Sequence, residues 1–92
     1  QLLNQGLNTP QAKMVYQLLV ENDTLYAATV NGIYKSTDGG NNWTKKSNGI
    51  IVGNGAIYEF TRSIFRHNSS LLTGAYTGIY RSTDGGENWD TT

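Results

Sequence analysis

The sequence predicts an all-β chain made of two four-stranded antiparallel meanders, and three observations carry that prediction. The stretch from Asn22 to Trp43, NDTLYAATVNGIYKSTDGGNNW, returns without a gap as NSSLLTGAYTGIYRSTDGGENW, Asn68 to Trp89, at an offset of 46 residues. In both copies, short runs rich in β-branched and aromatic residues alternate with turn-forming Asn, Asp and Gly. No stretch of useful length carries the 3.6-residue period of an amphipathic helix.

Each element follows in order. The first strands are VYQLLV (15–20) and TRSIFRH (61–67), ended by Asn22-Asp23 and Asn68-Ser69, which suit tight turns. The second strands are LYAATV (25–30) and LLTGAY (71–76). Asn31-Gly32 and Thr77-Gly78 then lead into GIYKS (32–36) and GIYRS (78–82), and Asn31-Gly32 reads as a type I′ hairpin signal. The Asp-Gly-Gly segments turn the third strands into the fourth, NWTKK (42–46) and NWDTT (88–92). Leu25 with Leu71, Gly32 with Gly78, Ile33 with Ile79 and Tyr34 with Tyr80 are identical across the copies, while Lys35 with Arg81 keeps only the charge. A partial third copy opens the chain, where Asn4-Gln5-Gly6-Leu7 lies on Ser47-Asn48-Gly49-Ile50. The expected organisation is therefore an outer-strand tail of a preceding unit at 1–7, a first unit at 8–50 and a second at 51–92.

Composition bounds the function. A chain of 92 residues buries a small fraction of its surface unless it is stapled or packed against a neighbour, and with no Cys it has neither disulfides nor thiolate metal sites. Seven Lys plus Arg balance seven Asp plus Glu, so no net field draws the chain to nucleic acid or an anionic membrane. The longest apolar runs fall far short of the roughly 20 residues of a membrane-spanning helix. The opening QLLNQGLNTP lacks the basic start and apolar centre of a secretory signal, so any targeting segment is expected to be removed or to lie outside this piece.

The two STDGGxNW phrases carry a family resemblance. Ser36, Asp38, Gly40 and Trp43 in one copy, and Ser82, Asp84, Gly86 and Trp89 in the other, match the Ser-x-Asp-x-Gly-x-x-Trp pattern of the Asp-box, or BNR, repeat at every specified position. Such repeats resemble the blades of β-propellers found in sialidases, xyloglucan-cleaving hydrolases, sortilin-type receptors and photosystem assembly factors. The 46-residue period sits within the ~40 to 50 residues of propeller blades. The resemblance implies an outer-hairpin position for the boxes, away from the ligand-binding mouth, and a secreted, extracellular or periplasmic location. The residue types give the boxes a structural role of their own. Asp caps a tight turn by accepting backbone N–H bonds, Gly takes positive φ, and the indole folds back over the hairpin. The Ser hydroxyls join the same cluster.

Catalytic readings find no complete set. DGGNN and DGGEN lack the spaced acids and closing Glu of an EF-hand calcium loop. A sialidase needs an arginine cluster with a Tyr nucleophile assisted by an acid, and only Arg62, Arg66 and Arg81 are present, the last aligned with Lys35. A hydrolase of the two-carboxylate type needs acids facing across a cleft. Of the acids, Glu59 in IYEFTR is the one on an inner-strand segment, and its bland reading is an outward residue between Tyr58 and Phe60. Glu59, Arg62 and Tyr58 are the candidate ligand-facing residues. His67 stands alone beside a turn. The Asn-x-Ser/Thr sequences at Asn22, Asn42 and Asn68 matter only in a secreted eukaryotic protein. Tyr16, Tyr26, Tyr58, Phe60, Phe65 and Tyr76 could stack on sugar, although packing between units is the more frequent use of strand aromatics.

Two blades cannot close a ring that takes about 4 to 8. The expected partners are therefore other blades, from a longer chain or from identical copies. The expected function is a non-catalytic propeller module binding protein or glycan, with no cofactor. The alternatives are a section of an extracellular glycoside hydrolase whose catalytic residues lie elsewhere, and a two-blade self-assembling lectin.

Overall fold

The computed structural model describes residues 14–53 and 55–92, so the expected tail at 1–7 and the partial third copy lie outside the described residues. The rest is all β: β1 (Val15–Glu21), β2 (Thr24–Thr29), β3 (Gly32–Ser36) and β4 (Thr44–Lys45) form one sheet, and β5 (Ser63–His67), β6 (Ser70–Ala75), β7 (Gly78–Ser82) and β8 (Asp90–Thr91) form the other. Both sheets are antiparallel meanders with strands in chain order. The repeat extends to the register: Leu25 opposes Ser36 as Leu71 opposes Ser82, and Ala27 opposes Tyr34 as Thr73 opposes Tyr80. The fourth strands are shorter than the sequence suggests, with two paired residues each.

Turn chemistry explains the joints. Asn22 and Asn68 open the β1–β2 and β5–β6 turns with φ of 59° and 56°, left-handed values that Asn tolerates better than most residues. The β2–β3 turn differs from the type I′ expectation. Thr29 pairs with Gly32 around the loop residues Val30 and Asn31, and positive φ falls on Gly32 (96°) rather than on the loop pair. Thr29 Oγ1 fixes this corner by donating to the Gly32 carbonyl at 2.7 Å and accepting from Asn31 N at 3.0 Å.

The two sheets pack face to face. Alternation along the strands gives each sheet two faces. In the first sheet, Leu25, Ala27, Tyr34 and Trp43 share one face, and Tyr26, Ala28 and Ile33 share the other. The corresponding first face of the second sheet, Ile64, Leu71, Tyr80 and Trp89, lies on Tyr26, Ala28 and Ile33 of the first sheet to make the principal core. Ile50, from the segment joining the sheets, completes it at 7% exposure. Ion pairs edge this interface, with Glu21 to Arg66 at 2.7 Å and Lys46 to Glu87 at 3.0 Å.

Candidate functional site

Three constellations concentrate the polar chemistry, one at each of the two STDGG hairpins and one where the linking segment crosses both sheets. In the first hairpin, Gly39 and Gly40 take φ of 74° and 98°, reversing the chain after β3. The buried Gly40 N–H donates to Ser36 Oγ at 2.9 Å, and Ser36 Oγ donates to Asp38 Oδ1 at 2.8 Å. Asp38 also accepts from Asn42 N at 2.9 Å and from Asn42 Nδ2 at 2.7 Å. The second hairpin repeats the arrangement. Gly86 N donates to Ser82 Oγ at 2.8 Å, Ser82 Oγ to Asp84 Oδ1 at 2.8 Å, and Asn88 N and Nδ2 to Asp84 at 2.9 Å each. The buried N–H therefore goes to the serine, which is 1 to 2% exposed in both copies, while the exposed aspartate aims the serine and ties down Asn42 or Asn88 from outside.

Asn is the residue that the pattern reading passed over. Its side chain is the largest influence on its aspartate, followed by its backbone N–H and then the serine hydroxyl, and together they hold the carboxyls of Asp38 and Asp84 down from 3.8 to about 2. A carboxylate so engaged is a poor proton donor or base near neutrality.

The tryptophans part company. Trp43 Nε1 donates to Gly40 O within its own hairpin at 2.9 Å, and its ring packs with Ala27, Tyr34 and Leu25. Trp89 instead donates from Nε1 to Lys46 O of the other repeat at 2.8 Å, and from its backbone N–H to Asn48 O at 2.8 Å. Gly49 (φ 102°) allows that approach, since a Cβ there would overlap the Trp89 carbonyl. The second hairpin is grasped from the first sheet as well, because Gly85 O accepts from Lys35 Nζ at 2.9 Å and from Tyr26 OH at 3.3 Å. A polar depression of about 260 Å³ between the hairpins is bordered by Lys35, Asp38, Lys46 and Glu87, whose charges are engaged in these bonds and in the Lys46–Glu87 pair.

At the third constellation, Glu59 to Arg62 alternates between the sheets. Glu59 O accepts from Tyr76 N at 3.0 Å in the second sheet's β6–β7 turn. Phe60 N and Thr61 N donate to Val30 O and Thr29 O of the first sheet at 2.9 and 3.1 Å, and Arg62 N returns to Gly74 O at 2.9 Å. Thr61 adds a donor bond from Oγ1 to Thr29 O at 2.7 Å and accepts from Thr29 N at 3.1 Å. The switch from one sheet to the other bends the chain at Phe60, which has φ of 54°, a strained value for a bulky residue held by bonds on both sides.

The bend gathers three rings. Tyr58 meets Phe60 edge-on with centroids 6.0 Å apart, and Phe60 meets Tyr76 at 6.0 Å with a tilt of 57°. Tyr76 covers Gly53, where a Cβ would strike its ring, yet remains 63% exposed. Of the candidate ligand-facing residues, Tyr58 is thus part of this cluster, while Arg62 turns its guanidinium over the Tyr16 ring at 5.3 Å. Glu59 lies in the linking segment before β5 and is 7% exposed, neither on a strand nor outward. It faces Lys45 at 3.1 Å and fills the space beside Gly32. His67 is exposed beside its turn.

Among the described residues no three His, Cys, Asp or Glu side chains gather as a metal site requires, and no helix is long and apolar enough to cross a membrane. No protein-family model matches this chain, and no curated protein matches it either.

Proposed function

We propose that this chain is a pair of β-propeller blades of the Asp-box type and serves as a non-catalytic, glycan-binding scaffold. The observation that carries the reading is the cluster formed by Tyr58 and Phe60, on the linking strap that fastens the two sheets, with Tyr76 of the β6–β7 turn, which is exposed. Aromatic faces fixed in place suit the apolar C–H face of a pyranose, because little side-chain freedom is lost on contact. The carboxylates support a binding role over hydrolysis. Asp38 and Asp84 are committed to their turns, and Glu59 is committed to Lys45. Support for the propeller reading comes from successive four-stranded meanders stacked face to face, with hairpin glycines, serines and aspartates repeating in geometry as well as in sequence. The extracellular or periplasmic location rests on the resemblance.

A glycan array, followed by titration of the best oligosaccharide, tests the reading. Tyr76→Ala is expected to abolish binding while leaving the thermal melt close to the native chain's, since the ring is largely exposed. Binding unaffected by Tyr76→Ala together with Tyr58→Ala would refute it.

A further inference from the structure

We infer that the chain carries two complementary docking faces and associates head to tail with a second copy of itself, repeating between chains the interface that joins its own two sheets. The inference stands apart from the glycan reading, since sheets that bind no sugar would still stack.

The internal interface supplies the template. In it, Ile33 of the first sheet is fully buried beneath the second, and Ile64 of the second sheet is 1% exposed against the first. At the 46-residue offset, Ile33 corresponds to Ile79 and Ile64 to Leu18. Ile79 is 56% exposed and Leu18 is 51% exposed. The contrast belongs to faces rather than to single residues. Phe65 shares the face of Ile79 through its pairing with Leu72, and it is exposed, as is Val20 beside Leu18. The second sheet therefore leaves bare the kind of face that the first sheet buries, and the first sheet leaves bare the β1 side, at Leu18 and Val20, of the kind of face that the second buries, Tyr34 and Trp43 on that face being buried. Exposed apolar surface of this sort marks an interaction site. The surface that fits each face is the other one, in the orientation already present inside the chain. Such a contact is heterologous: it propagates from copy to copy until a ring closes.

The offset also says what the contact between copies lacks. Glu21 pairs with Arg66, and Lys46 with Glu87, across the internal interface. The corresponding positions between copies are His67 opposite Val20 and Thr92 opposite Asn41, with no ion pair in either place. Apolar burial then carries the association, so added salt leaves it undiminished, whereas an ionic contact weakens over the same range.

Sedimentation velocity on the 92-residue chain tests this. The native chain is expected to show mass rising with concentration in steps of whole chains, equally at low and high salt. Ile79→Asp spoils one face and Leu18→Asp the other, so each variant alone is expected to hold the single-chain mass. An equimolar mixture is expected to give a species of two chains and nothing larger, because each variant keeps the face that the other needs. Circular dichroism checks that the variants are folded, and Phe65→Asp with Val20→Asp replaces any that is not. A native chain that stays at single-chain mass overturns the inference. So does a folded variant that associates as the native chain does, which would place the contact on strand edges, and so does a mixture that fails to pair.

Discussion

Trp89→Ala is expected to cost more stability than Trp43→Ala, although the two residues occupy the same place in the repeat and Trp89 stands near the end of the sequence. Trp89 is 2% exposed and packs in the core shared by both sheets, whereas among the described residues the Trp43 ring packs with Ala27, Tyr34 and Leu25 of its own sheet. A buried indole accounts for ~150 to 250 Å² of apolar burial, which at ~25 cal/mol per Å² gives ~4 to 6 kcal/mol. The lost bond from Nε1 leaves Lys46 O without that donor, adding about 1 kcal/mol. That sum approaches the whole stability expected of a chain this size, ~5 to 14 kcal/mol. Urea unfolding of the native chain and both variants, followed by far-ultraviolet circular dichroism and tryptophan fluorescence, measures the difference. Trp89→Phe, which keeps most of the ring and loses the bond, is expected to fall between native and Trp89→Ala. If Trp43→Ala proves as costly as Trp89→Ala or costlier, the assignment of Trp89 as the bolt between the sheets is wrong.

Two further outcomes follow from the hairpins. Ser36→Ala and Ser82→Ala each leave a buried glycine N–H without its acceptor and are expected to cost ~1 to 3 kcal/mol in urea melts. Asp38→Asn and Asp84→Asn, which leave those serines in place, are expected to be milder at neutral pH. Both aspartates have folded pKa values depressed from 3.8 to about 2, so the stability they contribute is fully present above about pH 4 to 5 and is lost as pH falls toward 2. The Glu21 carboxyl, lowered by its bonds to Arg66, shifts in the same direction. Melting temperature against pH is expected to drop through this window for the native chain and to drop less for the double Asp→Asn variant.

Local signals were strong enough to place nearly every strand. The 46-residue repeat, the Asn residues that open turns and the paired glycines are features that neighbouring residues settle, and the strands from the sequence differ from those observed by one or two residues at their ends, apart from the short fourth pair. The hairpin cluster was legible as well: Asp38 and Asp84 accept backbone N–H bonds, and Ser36 and Ser82 join the same cluster. Pattern alone does not say which oxygen reaches the buried Gly40 N–H. What lay beyond the sequence is whatever depends on contact between the repeats. Trp43 and Trp89 are the same letter in the same motif, yet the Trp43 indole turns to Gly40 O of its own hairpin while the Trp89 indole reaches Lys46 O of the other repeat. Glu59 looked like a strand residue because IYEFTR is rich in aromatic and β-branched neighbours. The segment instead alternates partners between two sheets, which no period-2 pattern encodes, and the left-handed Phe60 is the result.

The grip of Lys46 and Asn48 on Trp89 has a consequence for how such a chain could be lengthened or shortened by recombination. Each meander runs from its first strand to its fourth, but the groups that secure Trp89 in the second belong to the tail of the first. A gene segment cut at the visible start of the second sheet, near Ser63, would carry a sheet whose own fastening had been left behind. One cut near Thr44 would carry the tail, Ile50, the strap and the whole following sheet together. Duplication in that staggered frame adds a self-fastened unit at each step, much as overlapping roof tiles are laid from the covered edge outward.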